Sequence, residues 1–262
     1  MSVARILIIA GSDSGGGAGI QADIKTVSAL GGHAMTAITA ITAQNTVGVQ
    51  DVEGVPTEMV IAQINSVVAD IGVDAVKIGM IGSAKTANAV ADRLAELRAV
   101  PIVFDPVMVA TSGSVLADDE TIVAFRRLMQ LATLTTPNLP ELDALGGEAA
   151  VLAHGCALLV KGGHGTGEVL TDRLIAANGD ETFWQDRRID TPHTHGTGCT
   201  LASAIATGLA QGMALPDAIA RARVYVRAAL LCAPGLGQGH GPMGFPVGGS
   251  TTSVRPEEPP KC

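Results

Sequence analysis

This chain of 262 residues has few aromatic residues and no net positive charge. Phenylalanine, tryptophan and tyrosine together make up 2% of the sequence, and the formal net charge is -8. Nucleic acids bind proteins through cations on their phosphates and through aromatic rings that stack on their bases. The composition therefore argues against a nucleic-acid partner and favours small-molecule ligands.

The sequence also lacks a hydrophobic run long enough to cross a membrane. Its first ten residues, MSVARILIIA, lack the basic region and small-residue cleavage site of a secretory signal, so we interpret them as a strand. The four cysteines are far apart and form no Cys-x-x-Cys pair, which predicts neither a zinc site nor a disulfide framework. These features predict a cytoplasmic protein with no membrane partner.

Segments typical of strands and of helices alternate along the chain. Short apolar runs at residues 4–10, 74–79 and 101–105 are typical of buried parallel strands, and segments with helical spacing separate them. This alternation predicts an α/β fold, with a mostly parallel sheet covered by helices on both faces. The segment 168–184 has a shorter period and is interpreted as an antiparallel addition.

The domain organisation is predicted to be simple. No linker rich in proline or serine divides the chain, so residues 1–243 are interpreted as one domain. Glycine and proline dominate the last segment, which predicts a flexible tail over residues 244–262. Ser83 precedes a helical segment and is expected to cap it.

The most informative segment is the turn Gly196-Thr197-Gly198 with Cys199, which leads directly into a helical run of small residues. Backbone amides at a helix start lack partners, and the helix dipole favours negative charge there. Cys199 lies in the first turn, where the pKa of a thiol is expected to fall. An anion site beside a potential base suits phosphoryl transfer to a hydroxyl. The alternative is a helix-initiating loop with an inert core cysteine.

A second glycine-rich turn covers residues 10–23, between the first strand and the first helix. It is neither a Walker A loop nor a Gly-x-Gly-x-x-Gly motif in register. Its glycines, including Gly11, would let the backbone approach a flat ligand, and Asp23 could orient a hydroxyl or cap the helix. The alternative is a flexible loop that needs glycine only for its conformation.

Polar residues follow several of the predicted strands. Gln44 could pair with an aminopyrimidine edge, because a carboxamide donates and accepts side by side, although a satisfied turn residue is the alternative. Asp105, Asn138 and Glu141 offer oxygen ligands of the kind that Mg²⁺ prefers, and Lys161 offers a cation for phosphates. Glu141 could equally be an ordinary helix-start residue, and Lys161 a solvated strand end.

These segments, in this order, resemble the ribokinase-like superfamily and, within it, the hydroxymethylpyrimidine/phosphomethylpyrimidine kinases of thiamine biosynthesis. The resemblance spans residues 5–242, and many ribokinase relatives carry aspartate where this chain has Cys199. Ser14 stands where the family usually has proline, and the tail beyond Met243 has no family counterpart. The motifs that carry the resemblance are AGSDSGGGAGIQADIKT (10–26), TAITAQNT (39–46), KIGM (77–80), DPVM (105–108), HGTGCT (195–200) and GHGP (239–242).

The resemblance implies a three-layer α/β/α sandwich and a homodimer. It implies ATP-dependent phosphorylation of 4-amino-5-hydroxymethyl-2-methylpyrimidine and then of its monophosphate. Cys199 takes the position of the catalytic base, and Lys161 neutralises phosphate. The amides of Gly196, Thr197, Gly198 and Cys199 receive the transferred phosphoryl group. The substrate residues are Gln44, Gly11, Asp23, Met80 and Val107, and the residues for Mg²⁺ or its waters are Glu141, Asn138 and Asp105.

Two other functions fit parts of this pattern. A pyridoxal or pyridoxine kinase of the same superfamily would have a similar cysteine turn. A non-catalytic pyrimidine-sensing module would keep the fold but would not need Lys161, Glu141 and Cys199. A second carboxamide or acid facing the ring would distinguish the two kinases, and the sequence does not place one.

Overall fold

The computed structural model describes residues 3–97, 99–110, 113–164 and 167–246. Within these ranges, nine strands form one sheet. The strands are β1 (Arg5–Asp13), β2 (His33–Gln44), β3 (Val49–Gly54), β4 (Ala75–Ile78), β5 (Ile102–Phe104), β6 (Leu134–Thr135), β7 (Ala157–Val160), β8 (Val169–Ile175) and β9 (Glu181–Arg187). The helices are α1 (Gly19–Ala29), α2 (Thr57–Asp70), α3 (Ala84–Leu94), α4 (Asp119–Met129), α5 (Leu139–Ala144), α6 (Glu148–Leu152), α7 (Thr197–Ala210) and α8 (Leu215–Leu231).

The strand order across the sheet is β3-β2-β1-β4-β5-β6-β7-β8-β9. The strands from β2 to β7 are parallel, whereas β3 at one edge and β8 and β9 at the other are antiparallel. The chain first builds from β1 toward β2 and β3, and then places β4 on the other side of β1. In open parallel sheets this reversal leaves a ligand-binding crevice at the carboxyl ends of the strands.

Two hydrophobic layers cover the two faces of the sheet. Leu7 and Ile9 of β1 belong to the layer that packs against α2, α3 and α4. Ile6 and Ile8 belong to the opposite layer, which packs against α1, α7 and α8. Successive residues of a strand point to opposite faces, so one short apolar run supplies both layers. The result is the expected three-layer α/β/α sandwich, and the fold predicted from the alternation of strands and helices is confirmed.

Other expectations are confirmed in detail. The segment interpreted as an antiparallel addition forms the β8–β9 hairpin. Ser83 caps α3, because its side chain accepts a hydrogen bond from the backbone N–H of Thr86 at 3.2 Å. Two elements, β3 and α6, have no counterpart in the sequence interpretation. Both are short, and all but the first residue of β3 is exposed, so its sequence carries no hydrophobic alternation.

The first residues of the predicted tail, 244–246, are described and lie against the domain. The N–H of Gly244 donates to the carbonyl oxygen of Ala229 at 2.9 Å, and the ammonium of Lys25 lies 5.0 Å from the ring centroid of Phe245. The rest of the predicted tail, residues 247–262, lies outside the described residues. Within the described ranges, no helix has both the length and the hydrophobicity of a membrane span.

Candidate active site

A cavity of about 870 Å³ opens at the carboxyl ends of the parallel strands, beside the reversal between β1 and β4. Every site residue expected from the sequence lines it, with the exception of Asp23. These residues are Gly11, Gln44, Met80, Asp105, Val107, Asn138, Glu141, Lys161, Gly196, Thr197, Gly198 and Cys199. The polar residues that follow separate strands therefore meet in one cleft, as the carboxyl ends of parallel strands require.

The turn at the start of α7 leaves no room for a side chain at position 196, which is occupied by glycine. Its φ is +88°, in the left-handed region, and a Cβ there would lie 1.9 Å from the carbonyl oxygen of Gly17. As the N-cap, Gly196 supplies no side-chain hydrogen bond, and the first turn of α7 contains no acidic residue. The positive end of the helix dipole at Thr197, Gly198 and Cys199 is thus left facing the cavity, ready for an anion.

The glycine-rich turn after β1 is organised by Asp13. Its carboxylate accepts hydrogen bonds from the N–H groups of Gly15 at 2.8 Å, Gly17 at 3.0 Å and Ala18 at 2.8 Å. Nε2 of His195 lies 2.9 Å from the same carboxylate. Although burial raises it, these bonds from His195, Ala18 and Gly15 hold the pKa of Asp13 below its ordinary value. Asp13 is therefore an ionised anchor that joins the glycine-rich turn to the segment before α7.

Gln44 ends β2 at the rim of the cavity. The hydroxyl of Ser14 donates to the carbonyl oxygen of Gln44 and accepts from its N–H, both at 2.8 Å. The carboxamide lies between two polar neighbours, with Oε1 3.1 Å from Oγ1 of Thr42 and Nε2 3.2 Å from Nε2 of His195. Backbone and side chain are both fixed, so the carboxamide is presented to the cavity in a defined position. A proline at position 14 would lack the hydroxyl that makes this contact.

Close packing brings Met80 to the same end of the cavity. A Cβ on Gly11 would lie 3.0 Å from the sulfur of Met80, so glycine lets the end of β1 approach this side chain. Val107 follows β5, where its N–H donates to the carbonyl oxygen of Asp105 at 2.8 Å. The cavity thus combines apolar Met80 and Val107 with the carboxamide of Gln44, which suits a flat ring that carries hydrogen-bonding groups on its edge.

Cys199 differs from the expectation in one respect. Burial raises the pKa of its thiol to about 11, and the nearby charges of Asp23 and Asp105 add to this effect, while the ammonium of Lys77 opposes it. The prediction that the helix start lowers the pKa of this thiol is wrong for the ligand-free protein, because removal from water outweighs the helix dipole. Once deprotonated, such a thiolate is a strong base.

Lys161 and two carboxylates form the charged part of the cavity. Nζ of Lys161 lies 2.9 Å from Oδ1 of Asp105, which also accepts from the hydroxyl of Thr136 at 3.1 Å. Burial opposes the charge of Lys161, but Asp105 and Glu141 outweigh it and raise the pKa of the ammonium above its ordinary value. Lys161 therefore stays cationic beside the helix start, where it can neutralise phosphate.

Glu141 and Asn138 share a capping box at the start of α5. The side-chain oxygen of Asn138 accepts from the N–H of Glu141, and Oε2 of Glu141 accepts from the N–H of Asn138, both at 2.8 Å. Burial raises the pKa of Glu141 to about 7, although the nearby Lys161 lowers it. The carboxyl group of Glu141 thus gains or loses its proton near neutral pH. A nearby metal ion or phosphate could therefore change its charge.

Asp23 lies outside the cavity and corrects the expectation that it lines the substrate pocket. It is on α1, fully buried, with Oδ2 2.9 Å from Nζ of Lys77 and Oδ1 accepting from the hydroxyl of Ser203 at 2.7 Å. Both carboxylate oxygens are used inside the protein. The sequence interpretation did not assign a role to Asp13, Lys77 or the side chain of His195, because their partners are distant along the chain.

Three comparisons with known proteins identify the family of this chain. The sequence profile of the phosphomethylpyrimidine kinase family matches residues 13–244. The chain is 48% identical over 252 residues to the thiamine biosynthesis bifunctional protein ThiED of Geobacter sulfurreducens, which covers 91% of this chain and 51% of that protein. It is 47% identical over 253 residues to the hydroxymethylpyrimidine/phosphomethylpyrimidine kinase of Streptomyces coelicolor, which covers 91% of this chain and 93% of that protein.

Among solved structures, the pyridoxal kinase of Bacillus subtilis in complex with ADP is similar to this chain. The TM-score is 0.86 at 34% identity, and the alignment covers 94% of this chain and 98% of that chain. The chain spans about half the length of the Geobacter protein and nearly all of the Streptomyces kinase. Fold, site and sequence agree on the ribokinase-like architecture and on a phosphotransferase. The chain belongs to the phosphomethylpyrimidine kinase family.

Proposed function

We propose that this protein uses ATP to phosphorylate 4-amino-5-hydroxymethyl-2-methylpyrimidine and then the resulting monophosphate, giving the diphosphate for thiamine biosynthesis. The observation that carries the proposal is the shared cavity. Gln44 and Met80 line it together with Cys199, in the first turn of α7, and Lys161, whose ammonium lies beside Gly198. The hydroxymethyl group of the substrate and a nucleotide phosphate can therefore be held in the cavity that contains the thiol.

The substrate ring binds between Gly11, Met80 and Val107, with its polar edge against Gln44. The carboxamide can pair with an amino group and a ring nitrogen at once, because it donates and accepts side by side. Ser14 fixes the backbone of Gln44, and Thr42 and His195 lie beside its carboxamide. Asp13 contributes indirectly, since its hydrogen bonds fix both His195 and the glycine-rich turn.

In the transfer step, the hydroxyl oxygen of the substrate attacks the γ-phosphorus, and the bond from that phosphorus to the bridging oxygen of ADP breaks. The hydroxyl proton passes to the sulfur of Cys199. The first-turn amides of α7, from Thr197 to Cys199, receive the charge on the transferred group, and Lys161 neutralises phosphate. The structural similarity to a kinase crystallised with ADP supports a nucleotide in this cleft.

We assign Mg²⁺ to Glu141, chiefly through water. Mg²⁺ usually keeps several waters and binds through one or two carboxylates together with substrate phosphates. The described residues contain no group of three or more histidine, cysteine, aspartate or glutamate side chains arranged for a metal. Asp105 is neutralised by Lys161 and adds a second carboxylate, while the oxygen of Asn138 positions Glu141. The ion would neutralise phosphate charge.

A homodimer in the cytoplasm is proposed by analogy with the family. The edge of the sheet supports a contact between copies, because β3 is its outermost strand and the side chains of Ile41, Val47 and Val52, in and beside this strand, are exposed. Light scattering on the purified protein tests this. The wild type should have the mass of a dimer and Val52→Lys that of a monomer, and a monomeric wild type would refute the assignment.

The function is tested by measuring ATP consumption in parallel with hydroxymethylpyrimidine, its monophosphate and pyridoxine. ADP should form in the reactions with both pyrimidines, and Cys199→Ala is the control for contaminating kinase activity. The alternative function is pyridoxal kinase, which the structural similarity to the Bacillus subtilis enzyme favours. Turnover with pyridoxine and none with either pyrimidine would establish the alternative and refute the proposal.

A further inference from the structure

Lys77 is a charged residue buried in the apolar layer between the sheet and helices α1 and α7. It lies in the middle of β4, its side chain is fully buried, and its register partners Ile8 and Val103 are fully buried as well. By strand alternation it shares a face with Ala75, whose layer packs against α1 and α7. An ammonium in such surroundings is costly unless it is paired, so the position of its partner matters.

The partner of Lys77 connects it to α7. Nζ of Lys77 lies 2.9 Å from Oδ2 of Asp23, and Oδ1 of Asp23 accepts from the hydroxyl of Ser203 at 2.7 Å. Ser203 follows Cys199 by four residues, so the two lie on the same face of α7. A chain of polar contacts therefore runs from β4 through α1 to α7, which it reaches one turn after the thiol.

Gly79 leaves the space that the ammonium occupies. A Cβ on Gly79 would lie 2.7 Å from Nζ of Lys77. The two residues are separated by two positions and thus share a face of the extended chain. The Lys-x-Gly spacing places the charge toward the carboxyl end of β4, which is the end of the sheet where Cys199 lies.

Four charged groups act on Cys199, and each comes from a different element. Lys77 on β4 lowers the pKa of the thiol, whereas Asp23 on α1 and Asp105 after β5 raise it. Lys161, after β7, also interacts with Cys199 as a cation. A hydrogen bond from the N–H of Gly19 adds to the effect of Lys77. Among these charges Lys77 has the largest effect on Cys199, and Asp23 opposes it.

We propose that Lys77 is a positioning residue for catalysis, which acts through Cys199 by stabilising its thiolate from beneath the turn. Asp23 pairs with the ammonium inside the apolar layer and limits the attraction between Lys77 and the sulfur, while Asp105 also favours the charged form of Lys77. This inference rests on the base role proposed for Cys199. It extends that role, because it explains how a partly buried thiol gives up a proton.

The experiment measures alkylation of Cys199 by iodoacetamide across the neutral to alkaline range, with the modified peptide quantified by mass spectrometry. Only the thiolate reacts, so the rate at a fixed pH reports its fraction. Lys77→Met should lower this rate about tenfold, the effect of losing one nearby opposite charge. Asp23→Asn should raise the rate, because the charge of Lys77 is then no longer offset. The two variants shift the reaction in opposite directions.

A double variant and a control complete the design. Removal of one partner of a buried ion pair is strongly destabilising, whereas neutralising both is much better tolerated. Lys77→Met with Asp23→Asn should therefore fold even where a single variant does not, and its rate should fall below that of the wild type because the effect of Lys77 is the larger. Lys85→Met removes an exposed lysine from α3 and should leave the rate unchanged.

The outcomes separate this inference from the proposed function, because alkylation needs no substrate. Equal rates in the double variant and the wild type would overturn the role of Lys77, as would single variants that shift the rate in the same direction. If the alkylation results hold but kcat with the pyrimidine follows the same pH dependence in Lys77→Met and the wild type, Cys199 is not the base and the proposed mechanism fails instead.

Discussion

At the scale of single residues, the chemistry depends on how burial and charge act on Cys199. Burial raises the pKa of the thiol to about 11, so the thiolate is a minor species at neutral pH. Below that pKa, the thiolate fraction rises about tenfold for each pH unit. In the proposed mechanism, the cost of forming the thiolate is offset by its strength as a base and by the amides and cations that surround it.

Replacement of Cys199 by alanine should lower kcat by about 10²–10⁴, the usual contribution of a general base, while the Kd of the pyrimidine stays the same. Wild-type kcat should increase with pH above neutrality, and the variant should lose this increase. Steady-state kinetics and substrate titration measure both quantities. Cys156→Ala is the matched control, since Cys156 is buried beside Thr135 and does not line the cavity. An unchanged kcat in Cys199→Ala would end the base assignment.

The raised pKa of Glu141 predicts that Mg²⁺ binding depends on pH. Burial raises the pKa of its carboxyl group to about 7, and a cation needs the ionised form. The apparent affinity for Mg²⁺ should therefore weaken as the pH falls below about 7, by up to about tenfold per pH unit. Calorimetric titration of the complex with a non-hydrolysable ATP analogue measures it. Glu141→Gln should remove this dependence, and Asp143→Asn, an exposed carboxylate on the same helix, should retain it.

Should Mg²⁺ affinity prove independent of pH in the wild type, or keep its pH dependence in Glu141→Gln, the assignment of the ion to Glu141 is wrong. Retention of full affinity in Glu141→Gln would point to the same conclusion.

At the scale of elements, the start of α7 and the glycine-rich turn after β1 work as one unit. Gly196 and Gly17 are in backbone contact, and His195 binds the carboxylate that gathers the amides of the glycine-rich turn. A side chain at Gly196 would separate the two turns. The amides that receive the phosphoryl group would then move away from the substrate.

Gly196→Ala should lower kcat by more than about 10², the usual loss when a transition-state donor is displaced. The matched control is Gly212→Ala, which follows α7 at a φ of +84° with no atom within 4 Å of the added Cβ. The control should lose only about 1 kcal/mol of stability, from the left-handed conformation alone, and keep its kcat. Kinetics and thermal unfolding of both variants distinguish the effects. Equal kcat values in the two variants would contradict the account.

The order of elements could be predicted from the sequence because buried parallel strands and amphipathic helices have distinct periods. The sequence VQDVEG of β3 has no such signal, since that strand is nearly all exposed and is held by pairing with β2. Helix α6 has only five residues, too few to show a helical period. Short and edge elements depend on tertiary pairing, which local pattern does not contain.

The site was predictable where its residues are neighbours in sequence, as in the turn from Gly196 to Cys199. The contacts of Asp13 with His195, and of Asp23 with Lys77, join residues 182 and 54 positions apart. Only the fold brings such pairs together. The rise in the pKa of Cys199 was missed for the same reason, because it follows from burial in the folded protein rather than from the helix start.

At the scale of the whole molecule, the reversal of strand order between β1 and β4 determines where the cavity lies. Strand ends from β1 to β7 supply its polar lining, and the cavity of about 870 Å³ is large enough for a small ring beside a phosphate chain. The architecture is shared with a pyridoxal kinase. The fold therefore does not determine the choice of ring, which the proposed assignment gives to the few side chains around Gln44.

The most direct test of the central claim is a competition experiment. The protein is mixed with ATP, Mg²⁺ and equal amounts of hydroxymethylpyrimidine and pyridoxal, and the products are followed over time by phosphorus NMR and mass spectrometry. We predict that the pyrimidine monophosphate forms first and is converted to the diphosphate before pyridoxal is consumed. Formation of pyridoxal phosphate, with the pyrimidine left unphosphorylated, would contradict the account.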